Sequence, residues 1–162
     1  MKKNLTQEEI LLEKQTSLDK MKYKRDNMSF IFALIGLVFN VLYFFAFYKN
    51  NGTFYYGWMM GISVLYNLLF MLFTFYSAQE VKGYHRNFGI LLFLLGVGQI
   101  VRMFIYPKQA LAQEALEPKA YTLLVIYLSI SAAFLIIGGI ISVIKSTILK
   151  NYVKKENEKE VA

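Results

Sequence analysis

The chain has 162 residues, 56% hydrophobic and 17% aromatic, with 18% charged residues, a formal net charge of +7 and a mean hydropathy of +0.39. Soluble domains carry about 25% charged residues spread over their surface; here the charges gather at the ends and in short connections, the pattern of a membrane protein. With no cysteine, disulfides, thiolate metal sites and thiol catalysis are excluded, and basic residues flanking apolar runs point to anionic lipid instead of nucleic acid.

Residues 1–28 form a basic amphipathic segment. Thr6 followed by Glu9 is a capping-box pattern, so a short helix is predicted from about residue 7 to 24. The stretch KMKYKR just before the first span is expected to lie against anionic headgroups. The first apolar run starts at Ser29 and lacks a small-residue cleavage site, so it reads as a retained anchor.

A helix needs about 20 apolar residues to cross the hydrocarbon core, and four runs qualify: about 29–48, 54–78, 87–106 and 120–144. They are apolar on both alternating faces, which excludes the strands of a barrel. Between the third and fourth, PKQALAQEALEP starts at Pro107 and ends at Pro118. Its flanking prolines and its stripe of Leu111, Ala112, Ala115 and Leu116 predict a separate short helix resting on the outer surface. The tail, 145–162, is charged and expected to fray. Fifteen lysines against three arginines, with frequent Asn and Ile, suit an AT-rich bacterial genome.

Lysine and arginine set the orientation. Lys2, Lys3, Lys14, Lys20, Lys22, Lys24, Arg25, Lys82, Arg86, Lys145, Lys150, Lys154, Lys155 and Lys159 fall on one side, against Lys49, Lys108 and Lys119 on the other. Both termini are therefore predicted in the cytoplasm of a cell-membrane protein. Tyr48, Phe54, Tyr55, Tyr56, Trp58, Tyr106 and Tyr121 would form an aromatic belt at the outer interface.

Polar residues inside apolar runs are costly and turn toward the bundle. Asn40 shares a face with Gly36 and Tyr43, and the second run carries Ser63, Asn67, Thr74 and Ser77. Gln99, Arg102 and Tyr106 form one stripe, and Ser131, Gly138, Ser142 and Ser146 another. Gly57 and Gly61 make a GxxxG pattern, which with Gly138 and Ser142 is read as helix packing. Asn40, Asn67, Gln99 and Arg102 are read as a polar binding face. A weak repeat aligns Gly36 and Asn40 with Gly96 and Gln99.

Arg102 stands out. No Asp or Glu falls within the four runs, so the side chain is expected to snorkel to the outer surface. Otherwise it would meet Glu114 or Glu117, a partner's carboxylate or an anionic ligand. The lone His85 reads as solvated, and the sequon Asn51-Gly-Thr53 sits too near the membrane to be a good acceptor.

The chain carries no nucleophile with a base, no membrane aspartate pair, no His cluster and no phosphate loop. No enzyme activity, cofactor or metal is expected. The fold class is all-α, a four-span bundle. The function read from it is a non-catalytic accessory or assembly subunit of a larger membrane complex, such as a transporter. It would meet an integral membrane protein or a second copy through its glycine- and serine-rich faces. The alternative is a small oligomeric transporter or channel with an outward-facing polar site around Arg102.

Overall fold

A computed structural model describes residues 7–50, 58–112 and 116–161. Its elements are α1 (Gln7–Tyr23), α2 (Asn27–Asn50), α3 (Trp58–Val81), α4 (Arg86–Ala112) and α5 (Pro118–Val161), with no strand among the described residues. Four helices are long and apolar enough to cross a membrane: Asn27–Lys49, Gly61–Val81, Arg86–Ala112 and Pro118–Glu158. The all-helical architecture with four such helices is the one the apolar runs predict. Phe54, Tyr55 and Tyr56 of the predicted belt, and the sequon, lie outside the described residues.

The four long helices form a ring in which α5 packs closely along α2 and α4, while α3 closes the ring more loosely against those same two. Small residues permit the tight seams. A Cβ added to Gly36 would stand 2.8 Å from Leu135 Cγ, and one on Gly96 2.6 Å from Ile136 Cγ1. One on Gly139 would meet the Phe93 backbone nitrogen at 2.7 Å. Only hydrogen fits there, which is how helices approach without a hydrophobic drive between them. Gly138 faces Phe32 and Ser29 of α2, and Ser142 stands against Gly89 of α4. Gly57 lies outside the described residues, and a Cβ added to Gly61 would meet no described atom within 4 Å; the described chain gives the GxxxG pair no packing role.

Polarity runs opposite to that of a soluble domain. Asn40, Asn67, Thr74, Ser77, Gln99, Ser131 and Ser142 are fully buried, whereas Phe45, Leu65, Leu72 and Phe104 stand exposed.

Two expectations are corrected. First, α4 does not stop at Pro107 but runs on to Ala112. Proline removes its own N–H and crowds only the preceding turn, so residues beyond it remain free to coil. Ala110 anchors the extension by burial in a cluster with Tyr43, Phe47, Leu116, Leu124 and Leu128. Leu116 is thus core, not the face of a surface helix.

Second, the tail is helical through Val161, as the last part of a 44-residue α5. Pro118 opens that helix with its φ preset, and Tyr121 N–H donates to Glu117 O at 2.9 Å. At the far end α1 lies against it. Lys22 pairs with Glu156, and Tyr152 Oη–H donates to Asp19 Oδ1 at 2.7 Å. These contacts put α1 and the end of α5 at one end of the bundle.

At that end Asp26 ties three elements together. Its carboxylate caps α2 by accepting from Ser29 N–H at 3.3 Å and Ser29 Oγ–H at 2.6 Å. Lys145 Nζ of α5 reaches it at 2.7 Å. Asp26 N–H donates to Lys82 O at 3.0 Å, in the turn where Tyr84 adopts a left-handed φ of 59°. In the sequence, Asp26 and Lys145 mark only the ends of apolar runs.

Candidate functional site

Gln99 and Arg102 are three residues apart on α4 and share a face. From there they meet one residue from each of the other three long helices. Gln99 Nε2–H donates to Asn40 Oδ1 at 2.8 Å, and Arg102 Nη1–H donates to the same oxygen at 3.3 Å. Arg102 Nη2–H donates to Asn67 Oδ1 on α3. Ser131 of α5 accepts from Gln99 Nε2 at 3.5 Å and donates to Gly36 O at 2.7 Å. All four residues read from sequence as a polar face therefore converge.

The surrounding side chains hold them in place. Asn67 Nδ2–H donates to Ser63 O at 2.8 Å, one turn back, which orients its oxygen toward Arg102. Tyr48 Oη–H reaches Ser63 Oγ at 2.8 Å. The guanidinium carbon lies 4.3 Å from the Tyr43 ring centre and 5.3 Å from that of Tyr66. The π faces offer partial negative charge to the cation.

Arg102 is 3% exposed, so it does not snorkel. The reason is local: amide oxygens on two neighbouring helices and two aromatic faces are closer than the end of the bundle. Among the described residues no carboxylate pairs with it. Glu117 makes no such pair, and Glu114 lies outside the described residues. Amide dipoles soften the charge without cancelling it. Arg102 Nε, Asn40 Nδ2 and Gln99 Oε1 are also buried with no hydrogen-bond partner among the described residues. The cluster thus holds a positive charge, two unmet donors and one unmet acceptor; an anion would satisfy the charge and the donors but not Gln99 Oε1.

Ser131 spends its proton on the Gly36 backbone carbonyl. Among the described residues no group of His, Asp or Glu could hold a metal ion. His85 is exposed at the other end of the bundle, with Nε2 3.7 Å from Glu80.

Sequence reasoning assigns Tyr66 no role. The available signal is its place directly before Asn67 in an apolar run. The repeat-like positions do meet: Gly36 and Gly96 press on neighbouring residues of α5, and Asn40 bonds Gln99.

Fold and site together define a class: an all-helical bundle of four span-length helices with a cation-centred polar cluster inside. Comparison with protein families, curated proteins and solved structures finds no match for the chain.

Proposed function

We propose that the chain is a four-span protein of the cell membrane, with α1 and the end of α5 in the cytoplasm, that binds an anionic group inside its bundle at Arg102. It would serve as a small transporter or channel for a solute carrying that group. The observation that carries this reading is Arg102 itself: buried, held by amides from two other helices, and without a carboxylate among the described residues. A charge in hydrocarbon costs at least about 3 kcal/mol on the most lenient scales, so a chain retaining one there has a use for it. The clustering of basic residues on one side supports the orientation. Arg102 then lies ten residues, about 15 Å, from the outer end of α4 at Ala112, against 16 residues, about 24 Å, from its start at Arg86, so entry from outside is the shorter route.

The test is a melting-temperature titration of purified protein in detergent against inorganic phosphate, sulfate and acetate, followed by flux of any responding anion in proteoliposomes. At least one of them should stabilise the wild type and leave Arg102→Gln unaffected, with Arg102→Lys keeping part of the response. No response in the wild type would sink the reading.

The accessory-subunit reading is kept for one observation. Ile10, Leu11 and Leu12 stand exposed on α1, outside the bundle, where a partner could cover them. Gly36, Gly89, Gly96, Gly138 and Gly139 pack in the seams of α5 with α2 and α4, whereas Gly61 and Gly98 meet no described atom within 4 Å. Mild-detergent purification should bring down a larger membrane protein in fixed ratio, and Leu11→Glu with Leu12→Glu should release it.

A further inference from the structure

The lipid-facing side of the α4–α5 seam carries two hollows, one above the other. The first, about 470 Å³, lies at the α1 end of the bundle, between Arg86, Asn87 and Phe88 at the start of α4 and Ser146, Leu149 and Lys150 of α5. The second, about 240 Å³, is lined by Ile90 and Phe93 of α4 and by Gly139, Ile140, Val143 and Ile144 of α5. Helical spacing sets them along one stripe: Arg86, Ile90 and Phe93 follow i, i+4, i+7, as do Gly139, Val143, Ser146 and Lys150 with one further turn.

The two parts differ in chemistry. The upper hollow has two cations, Arg86 and Lys150, and no acidic residue in its lining. Neither cation has an ion-pair partner among the described residues. The lower hollow has no charged or polar side chain, and Gly139 in its lining is where α5 presses on the Phe93 backbone of α4. Ile90, Ile140 and Ile144 on its rim are exposed. A headgroup-sized basic hollow is followed along the seam by an apolar slot nearer the middle of the bundle. That order of polarity is the order along a lipid.

We propose that this groove is a binding site for an anionic phospholipid of the cytoplasmic leaflet. Arg86 and Lys150 hold the phosphate while one acyl chain lies along Ile90, Phe93 and Ile140. The inference rests on the membrane-spanning reading given above but not on the role of Arg102, which lies toward the opposite end of α4. The occupant is chosen by charge complementarity. A zwitterionic lipid brings its own cation and would not neutralise two unpaired ones, and a transmembrane helix is too wide for a slot of this volume.

Native mass spectrometry of the full chain, released from mild detergent with phosphatidylglycerol or phosphatidylcholine added, counts the lipids retained. Phosphatidylglycerol should be retained in preference. Arg86→Gln with Lys150→Gln should weaken that retention about tenfold or more, since each surface cation contributes about 1 kcal/mol toward an anionic lipid. Removing two charges elsewhere, by Lys20→Gln with Lys154→Gln, should leave it unchanged. Ile140→Trp, which fills the lower hollow, should reduce it severalfold. Glycerophosphoglycerol, the headgroup without chains, should not compete. Equal retention of the two lipids, equal loss in the control variant, or competition by the chainless headgroup would each overturn the proposal. Should the double variant fail to fold, the wild-type comparison of the three probes decides alone. Arg102→Gln should retain phosphatidylglycerol as the wild type does, so failure of the Arg102 reading shows separately.

Discussion

Two buried polar clusters lie in this bundle, and they treat charge in opposite ways. Around Asp26 the charges balance. A carboxylate that is 1% exposed receives an ammonium, a hydroxyl and a backbone N–H. Around Arg102 they do not: a buried cation receives amide oxygens and ring faces but no opposite charge among the described residues. The difference separates a group that ties helices together from one whose charge is unanswered among the described residues, the feature on which the proposed anion site rests. A residue serving structure alone ends with its valences filled.

That contrast predicts effects of different size and sign. Asp26→Ala removes the cap of α2 and leaves Lys145 unpaired. Capping contributes about 1 kcal/mol. Breaking a buried ion pair costs about 3–5 kcal/mol, reduced here because the Lys145 side chain is 29% exposed. A total loss of about 3 kcal/mol is expected, read as lowered resistance to denaturation by SDS in mixed micelles. A change within about 0.5 kcal/mol would mean that the Asp26 cluster is not a structural tie.

Gly96→Val should cost about 2 kcal/mol by overpacking the seam with α5. It lies one turn from Gln99, so it should also blunt any anion response. Gly61→Ala, facing open space among described residues, is the matched control and should change the same melting temperature little.

Arg102→Met sharpens the contrast most. Replacing a buried charge by an apolar group of similar length is often neutral or stabilising, while Asn40 and Asn67 would lose a donor at about 1 kcal/mol. Net stability should stay within about 1 kcal/mol of wild type while anion binding disappears. Destabilisation by more than about 3 kcal/mol would make Arg102 a structural tie like Asp26.

The smallest effect concerns the contact between α1 and α5. The hydrogen bond to Glu156 raises the Lys22 ammonium above its ordinary value, and the hydrogen bond to Asp19 raises the Tyr152 phenol. Both groups are protonated in the contact, and a raised value means the contribution is fully present at lower pH. It is lost as pH climbs through the folded-state values, above about pH 10. Hydrogen exchange in α1 should quicken there while the bundle stays protected. Unchanged protection of α1 as the pH climbs past the raised values of both groups would show that these two bonds do not hold it.

Much of the fold is legible because each apolar run carries its own signal: length for a span and, in the first three, an amide for the inward face. Asn40, Asn67, Gln99 and Arg102 can be singled out for that reason. Which partners they find cannot be read the same way. The Arg102 side chain turns inward because of Asn40, 62 positions away, and Asn67, 35 positions away. No local pattern encodes that. Asp26 and Lys145, separated by 119 positions, are invisible as a pair for the same reason. Pro107 and the charged tail mislead in the other direction. Their local signals favour a break and a frayed end, and tertiary contacts through Ala110 and Glu156 override both.

The unbroken length of α5 carries a mechanical consequence. At 1.5 Å per residue its 44 residues span about 66 Å, roughly twice a bilayer's hydrocarbon. Ser131 sits beside the arginine cluster and Glu156 beside α1, 25 residues or about 38 Å further along the same rod. Pivoting that rod by about 5° at the inner cluster carries its far tip about 3 Å. One uninterrupted helix therefore joins the arginine cluster to the contact with α1.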